Sequence, residues 1–314
     1  MHEYKPPLVT NPRDPRYLAL RSLQTSQGRF RTSLYLIEGI RHLARAVEEH
    51  APIESVFFNP SILSNRFGRK LVRRLLQSRL PAIRLSPQLY RDLTLATEPQ
   101  GIGAVLRQQY VRFEDFSRAR GDATAPDPEG FVLGHGFSRA EQSKKKLAAL
   151  AAEGIYLAVE SIDSPGNLGT IVRTAEAAGL SGIFLLGSDD DPWHPASVRA
   201  SMGSLFSQTL VKCTPQEFTA WAGSHGVTTV ASSPGGLLDY RAWRGKEPAL
   251  RDGAQRRNRM GPPVALLIGS EKRGLSPHLL EASDFTVRIP MRGRCDSINV
   301  AVATGILLFE MARC

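Results

Sequence analysis

Residues 264–276 read VALLIGSEKRGLS, and residues 287–306 read VRIPMRGRCDSINVAVATGI. Each starts as an apolar strand and runs into a loop of glycine and polar residues, and the second loop opens into an apolar helix. Buried strands separated by helices imply a parallel sheet covered on both faces. In such α/β proteins the loops at the carboxyl ends of the strands hold the ligand. These two stretches therefore set the fold class as α/β and place the candidate site at strand ends near the C-terminus.

The same alternation extends upstream. Strands are expected at 155–159, 182–186 and 227–231, and helices at 169–178, 195–203, 217–223 and 298–313, the helix from 169 beginning at about Leu168. Residues 241–261 break the pattern with seven basic residues against two acidic ones, which marks a surface insertion. The N-terminal third alternates independently. It has a basic amphipathic helix over 16–30, strands at 34–37, 53–58, 82–85 and 103–107, and helices at 40–49, 69–77 and 87–93. Residues 113–153 change character. A cluster of Asp, Gly and Pro at 121–130 leads into SKKKLAALAAEG, a linker with one helix whose lysine run reads as a solvated face. The expected organisation is a small α/β domain over 1–112, a linker over 113–153 and a larger α/β domain over 154–314.

Charge adds a function class. The chain has 314 residues and a net charge of +10, and all of the excess lies in residues 1–112, with 18 Lys/Arg against 8 Asp/Glu. The remainder carries 22 of each. Arginine dominates the basic third, and its planar fork suits phosphate, so RNA or DNA is the natural partner, set against a merely basic soluble surface. No apolar run approaches the roughly 20 residues that span a bilayer. Three widely spaced cysteines and seven scattered histidines give neither a disulfide framework nor ligand spacing for a metal. The expectation is a cytoplasmic protein with no membrane and no metal. Asp189–Asp191 reads as a strand-exit loop rather than a cation site. No P-loop, G-x-S-x-G or strand-following G-x-G-x-x-G occurs, which weighs against an ordinary Rossmann site.

Three loops carry candidate chemistry. In ESIDSPGNLGTIVRTA (160–175) the chain turns at Pro165-Gly166, Asn167 is placed to cap the helix, and Arg173 lies two turns in. Taken alone this is an ordinary capped helix with a surface arginine. Gly269 and Gly274 bracket Ser270-Glu271-Lys272-Arg273 after Ile268, which reads equally as a ligand loop or as a strand-to-helix turn. In the third loop Ser297 is the expected N-cap, and Asn299, inside the first turn of an apolar helix, needs a partner.

Taken in order, PGNLGTIVRTAEAAG (165–179), IGSEKRGLS (268–276) and IPMRGRCDSINVAVATGILLFE (289–310) resemble the SpoU/TrmH family of RNA 2′-O-ribose methyltransferases, within the SPOUT superfamily. YLIEGIRHLARAVEEH (35–50), IESVFFNP (53–60) and EPQGIGAVLRQ (98–108) resemble that family's optional ribosomal-protein-like substrate domain. The family more often has Leu at 298, Ser at 301 and Asn at 164, where this chain has Ile298, Ala301 and Ser164. The resemblance implies a C-terminal α/β knot (trefoil knot) methyltransferase domain, a homodimer, and S-adenosylmethionine as cofactor. It implies that Ile268, Gly269, Glu271, Gly274, Ile289, Met291, Ser297, Ile298 and Asn299 hold the cofactor. It also implies that Arg173, Asn167, Glu271, Ser297 and Asn299 form the catalytic set. Ribosomal RNA is favoured as substrate, with tRNA, or a non-catalytic RNA-binding assembly factor, as the rival readings.

Overall fold

A computed structural model describes residues 6–121, 154–187, 190–243 and 263–313. The expected linker helix near 143–154 and most of the basic insertion at 241–261 lie outside these residues. The chain forms two compact units. The first comprises Met1–Gln109, Leu168–Arg173 and Asp191–Ser207, and the second Tyr110–Asn167, Thr174–Asp190 and Gln208–Cys314.

The first unit is built on β1 (Leu8–Val9), β2 (Leu34–Glu38), β3 (Ile53–Phe58), β4 (Ala82–Leu85) and β5 (Ile102–Arg107), in the order β1-β4-β3-β5-β2. β1, β4 and β3 run parallel, and β5 is antiparallel to both of its neighbours. Five helices connect them: α1 (Pro15–Ser22), α2 (Ser26–Thr32), α3 (Ile40–Glu48), α4 (Arg66–Gln77) and α5 (Pro87–Leu93). Tyr17, Leu20, Phe57, Leu85 and Tyr90 share one buried core. The single helix expected over 16–30 is two. Thr25 caps α2 by accepting the Gly28 N–H at 3.1 Å, and a Cβ on Gly28 would stand 1.9 Å from the Ser22 carbonyl oxygen. The corner is thus a serviceable cap beside a glycine that permits close backbone approach.

The second unit holds seven parallel strands in the order β10-β12-β9-β11-β6-β7-β8. They are β6 (Ile155–Val159), β7 (Gly182–Leu185), β8 (Leu210–Lys212), β9 (Thr228–Ser232), β10 (Leu238–Asp239), β11 (Val264–Ile268) and β12 (Phe285–Arg288). Its helices are α6 (Phe113–Gly121), α7 (Pro165–Ala177, whose middle is grouped with the first unit), α9 (Pro215–Ser224), α10 (Pro277–Ala282) and α11 (Val300–Met311). One helix of the first unit, α8 (Pro195–Ser201), falls between α7 and α9 in the chain. Every residue of β11 is buried, as a central parallel strand requires. β6 lies beside β11 with Val159 opposite Ile268, so the loops that follow them leave the sheet side by side. α6 is a helix where only a linker was expected. Its Phe116 is fully buried, edge-on to Tyr156 and Phe184, with ring centroids 6.1 and 5.3 Å away. The short β1, β8 and β10 are too brief to show a period in sequence and exist because a longer neighbour pairs with them.

Candidate active site

The first loop leaves β6 under tight local control. Glu160 Oε2 accepts the Ser276 N–H at 2.7 Å. Ser161 takes a left-handed backbone (φ +59°), sparsely populated for a side chain of this kind. Its N–H and that of Ile162 donate to the two carboxylate oxygens of the buried Asp190, at 3.1 and 2.8 Å. Asp190 belongs to the acidic run that read as a strand exit, and its role is to hold this turn.

Helix α7 starts earlier than expected, at Pro165, and Ser164 rather than Asn167 is its cap, the Ser164 Oγ accepting the Asn167 N–H at 3.5 Å. Proline in the first helical position has its φ preset and no N–H to satisfy, which favours this start. Asn167 therefore sits inside the first turn with its amide free to reach outwards. Its Nδ2 donates to Glu271 Oε1 at 2.7 Å, and its Oδ1 accepts from Asn299 Nδ2 at 3.1 Å. Glu271 Oε2 accepts the Asp163 N–H at 2.9 Å.

At the third loop the expected cap is also displaced. Asn299, not Ser297, caps α11, its Oδ1 accepting the N–H groups of Ala301 and Val302 at 2.9 and 3.3 Å. The partner that Asn299 needed is thus twofold: the helix terminus through its oxygen and Asn167 through its nitrogen. Ser297 lies outside the helix, exposed, with no hydrogen bond among the described residues. One hydrogen-bonded chain, Asp163–Glu271–Asn167–Asn299, so joins all three sequence motifs. Partial burial raises the Glu271 carboxyl, but the Asn167 amide and the Asp163 N–H outweigh it and hold the group below the ordinary carboxylate range.

The second loop folds on itself. Ser270 and Gly274 exchange backbone hydrogen bonds at 3.2 and 2.9 Å, and Gly274 has φ +68°. A Cβ on Gly269 would meet the Gly274 carbonyl carbon at 2.2 Å, so the glycine is needed for the close approach. Ile268 is buried at the end of β11, and Ile289 is half-buried just past β12. Arg173 is exposed on α7 and makes no hydrogen bond or ion pair among the described residues. Those residues hold no cluster of His, Cys, Asp and Glu suited to a metal ion, and no helix long and apolar enough to cross a membrane.

Residues 154–309, which contain all three loops, match the SpoU rRNA Methylase family, and residues 15–104 match the MRM3-like substrate binding domain. The chain belongs to the SpoU family of RNA methyltransferases. Among similar curated SpoU relatives, the 23S rRNA (uridine(2479)-2'-O)-methyltransferase of Streptomyces viridochromogenes is 29% identical over 292 residues, covering 91% of this chain and 84% of that one. Among solved SpoU structures, the AdoMet-bound rRNA methyltransferase of Sinorhizobium meliloti superposes with a TM-score of 0.72 at 28% identity, covering 98% of this chain and 97% of that chain. The SpoU methyltransferase AviRb of Streptomyces viridochromogenes, in complex with the cofactor AdoMet, gives 0.71 at 26%, over 96% of this chain and 98% of that chain.

As a SpoU enzyme the chain uses S-adenosylmethionine, and its loops fit that cofactor. Backbone groups of residues 291–298 make no hydrogen bond among the described residues, and they flank the partly exposed side chains of Met291 (36%) and Ile298 (37%). Free amide and carbonyl groups beside apolar side chains suit an adenine ring, which has polar edges and apolar faces.

Proposed function

We propose that this protein methylates the 2′-oxygen of a ribose in ribosomal RNA. The observation that carries the reading is the single chain of hydrogen bonds through Asp163, Glu271, Asn167 and Asn299, which fixes three strand-end loops against one another. Support for ribosomal RNA comes from the named relatives, one acting on 23S rRNA, and from the basic N-terminal third that matches a substrate-binding domain.

S-adenosylmethionine, when bound, supplies an electrophilic methyl group on a sulfonium. The backbone of residues 268–274 and 289–299 would hold it, with Met291 and Ile298 against its apolar parts. Arg173 would face the attacking hydroxyl. A guanidinium keeps its proton and is a poor base, so its role is to stabilise the negative charge that develops on the 2′-oxygen and to hold the adjoining phosphate. Asn167 orients the ribose side of the site, and Glu271 keeps Asn167 turned towards it. Ser297 borders the same pocket.

A homodimer belongs to the same reading. α11 is apolar around most of its circumference, and Val302 and Phe309 are 54% and 50% exposed on it. A second copy would cover that surface. The proposal includes a knotted path for the C-terminal segment, as the family resemblance implies.

The test is transfer of labelled methyl from S-adenosylmethionine to purified ribosomal RNA and tRNA, with Asn299→Ala as control. Label confined to ribosomal RNA, resistant to alkali at one dinucleotide and lost in the control, is the expected result. Label in tRNA alone, or on a base, overturns the proposal.

A further inference from the structure

A cavity of about 360 Å³ lies within the first unit, in the size range of small-molecule sites, and none of the loop residues described above lines it. Leu36, Phe57 and Val198 give it apolar walls. Among its polar lining residues, Glu38 and Gln100 offer complementary chemistry. Glu38, at the end of β2, accepts the Thr94 hydroxyl on Oε1, and a carboxylate has further lone pairs to offer. Gln100 spends its Oε1 on the Ile40 N–H at 2.7 Å, and its Nε2 has no partner among the described residues. The lining thus holds both carboxylate acceptors and an amide donor. Arg41 and Arg199 line it as exposed cations, and among the described residues Arg199 spends one N–H, on the Leu95 carbonyl at 3.1 Å.

Of the four standard bases, guanine alone puts two adjacent donors, N1–H and the N2 amine, next to an acceptor, O6. Adenine and cytosine would turn a ring-nitrogen lone pair towards the carboxylate, and uracil has a single donor between two acceptors. Sequence-specific RNA recognition takes bases that have left the stack and reads their pairing edges. We propose that this cavity receives an unstacked guanine of the RNA substrate, Glu38 accepting from N1–H and N2, Gln100 donating to O6, and Arg41 and Arg199 taking the flanking phosphates. This rests on the reading that RNA is the substrate, and it adds a base-specific anchor on the N-terminal unit.

The experiment is saturation-transfer NMR of GMP, AMP, CMP and UMP on the full-length protein, with the cofactor site saturated by S-adenosylhomocysteine. GMP is expected to bind about ten-fold more tightly than the others, the worth of about 1.4 kcal/mol. Glu38→Gln and Gln100→Ala should each weaken GMP by about ten-fold or more, and Ala96→Trp, which fills the cavity, should remove it. Glu38→Gln removes a half-buried group, so a lowered melting temperature there passes the decision to the other two variants. Equal binding of all four nucleotides, or GMP binding unchanged in Ala96→Trp and Gln100→Ala, overturns the proposal. Methyl transfer to RNA is measured on the same preparations. Transfer without guanine-selective binding overturns this proposal alone. Selective binding without transfer to any RNA supports the pocket and overturns the function proposed above.

Discussion

Asn167 Nδ2 lies 2.7 Å from Glu271 Oε1, tying the first turn of α7 to the loop after β11 across 104 positions of sequence. Because the acceptor is ionised, this bond belongs to the stronger class, worth about 1.5–3 kcal/mol. Asn167→Ala should therefore lower kcat/KM by about ten- to a hundred-fold. A double-mutant cycle with Glu271→Gln checks it: the two losses should be strongly non-additive, and additive losses would mean that the residues act separately.

The Glu271 carboxyl sits below the ordinary carboxylate range, which fixes a pH dependence. A group with a depressed folded pKa stabilises the native state above its unfolded pKa, and that contribution disappears as pH falls through the folded value. At pH 7 the Glu271→Gln protein should melt below the wild type. The gap should narrow as pH drops below the ordinary carboxylate range, and melting curves across an acid series measure it. A gap that is constant with pH would show that the bonds do not depend on the ionised form.

Gly269→Ala should damage cofactor binding more than overall stability, since the added Cβ would strike the Gly274 carbonyl carbon at 2.2 Å and force the loop apart. Calorimetry should show S-adenosylmethionine affinity down by more than ten-fold, the scale of a clash costing about 1–3 kcal/mol. Wild-type affinity would mean that the loop has another accessible form.

The Arg29 guanidinium, 2% exposed, pairs with Asp191 at 2.6 Å and donates to the Leu23 carbonyl at 2.9 Å. Losing one partner of a buried pair costs about 3–5 kcal/mol, and the 30% exposure of Asp191 argues for the lower end. Arg29→Met should therefore lower the melting temperature clearly, and adding Asp191→Leu should recover part of the loss. No recovery would place the cost in the Leu23 contact instead.

Much of this was legible in the chain. The strands at 53–58, 82–85, 155–159 and 264–268 fall where their apolar runs end, and the helices at 87–93 and 40–48 begin at the expected residues. Three motif loops in family order pointed to the reaction class before any geometry. The sequence points to Asn167 and Ser297 as caps, but each loop holds a second good capping residue and only the helix start chooses between them. Ser164 takes one and Asn299 the other. α6 was read as linker, because its single large buried anchor, Phe116, has meaning only against Tyr156, Phe184 and Trp221.

The sequence by itself determined the α/β class, the alternation of elements, the basic N-terminal third and the three loops, because period, capping chemistry and charge are local properties. Only the tertiary structure decided what each polar side chain is bonded to. Asn167 meets Glu271 and Asn299 over 104 and 132 positions, and Arg29 meets Asp191 over 162. The Asn167 partners follow from strand order and register, chiefly β6 lying against β11, and all such pairs from the cost of leaving a polar group unpaired once the elements have packed.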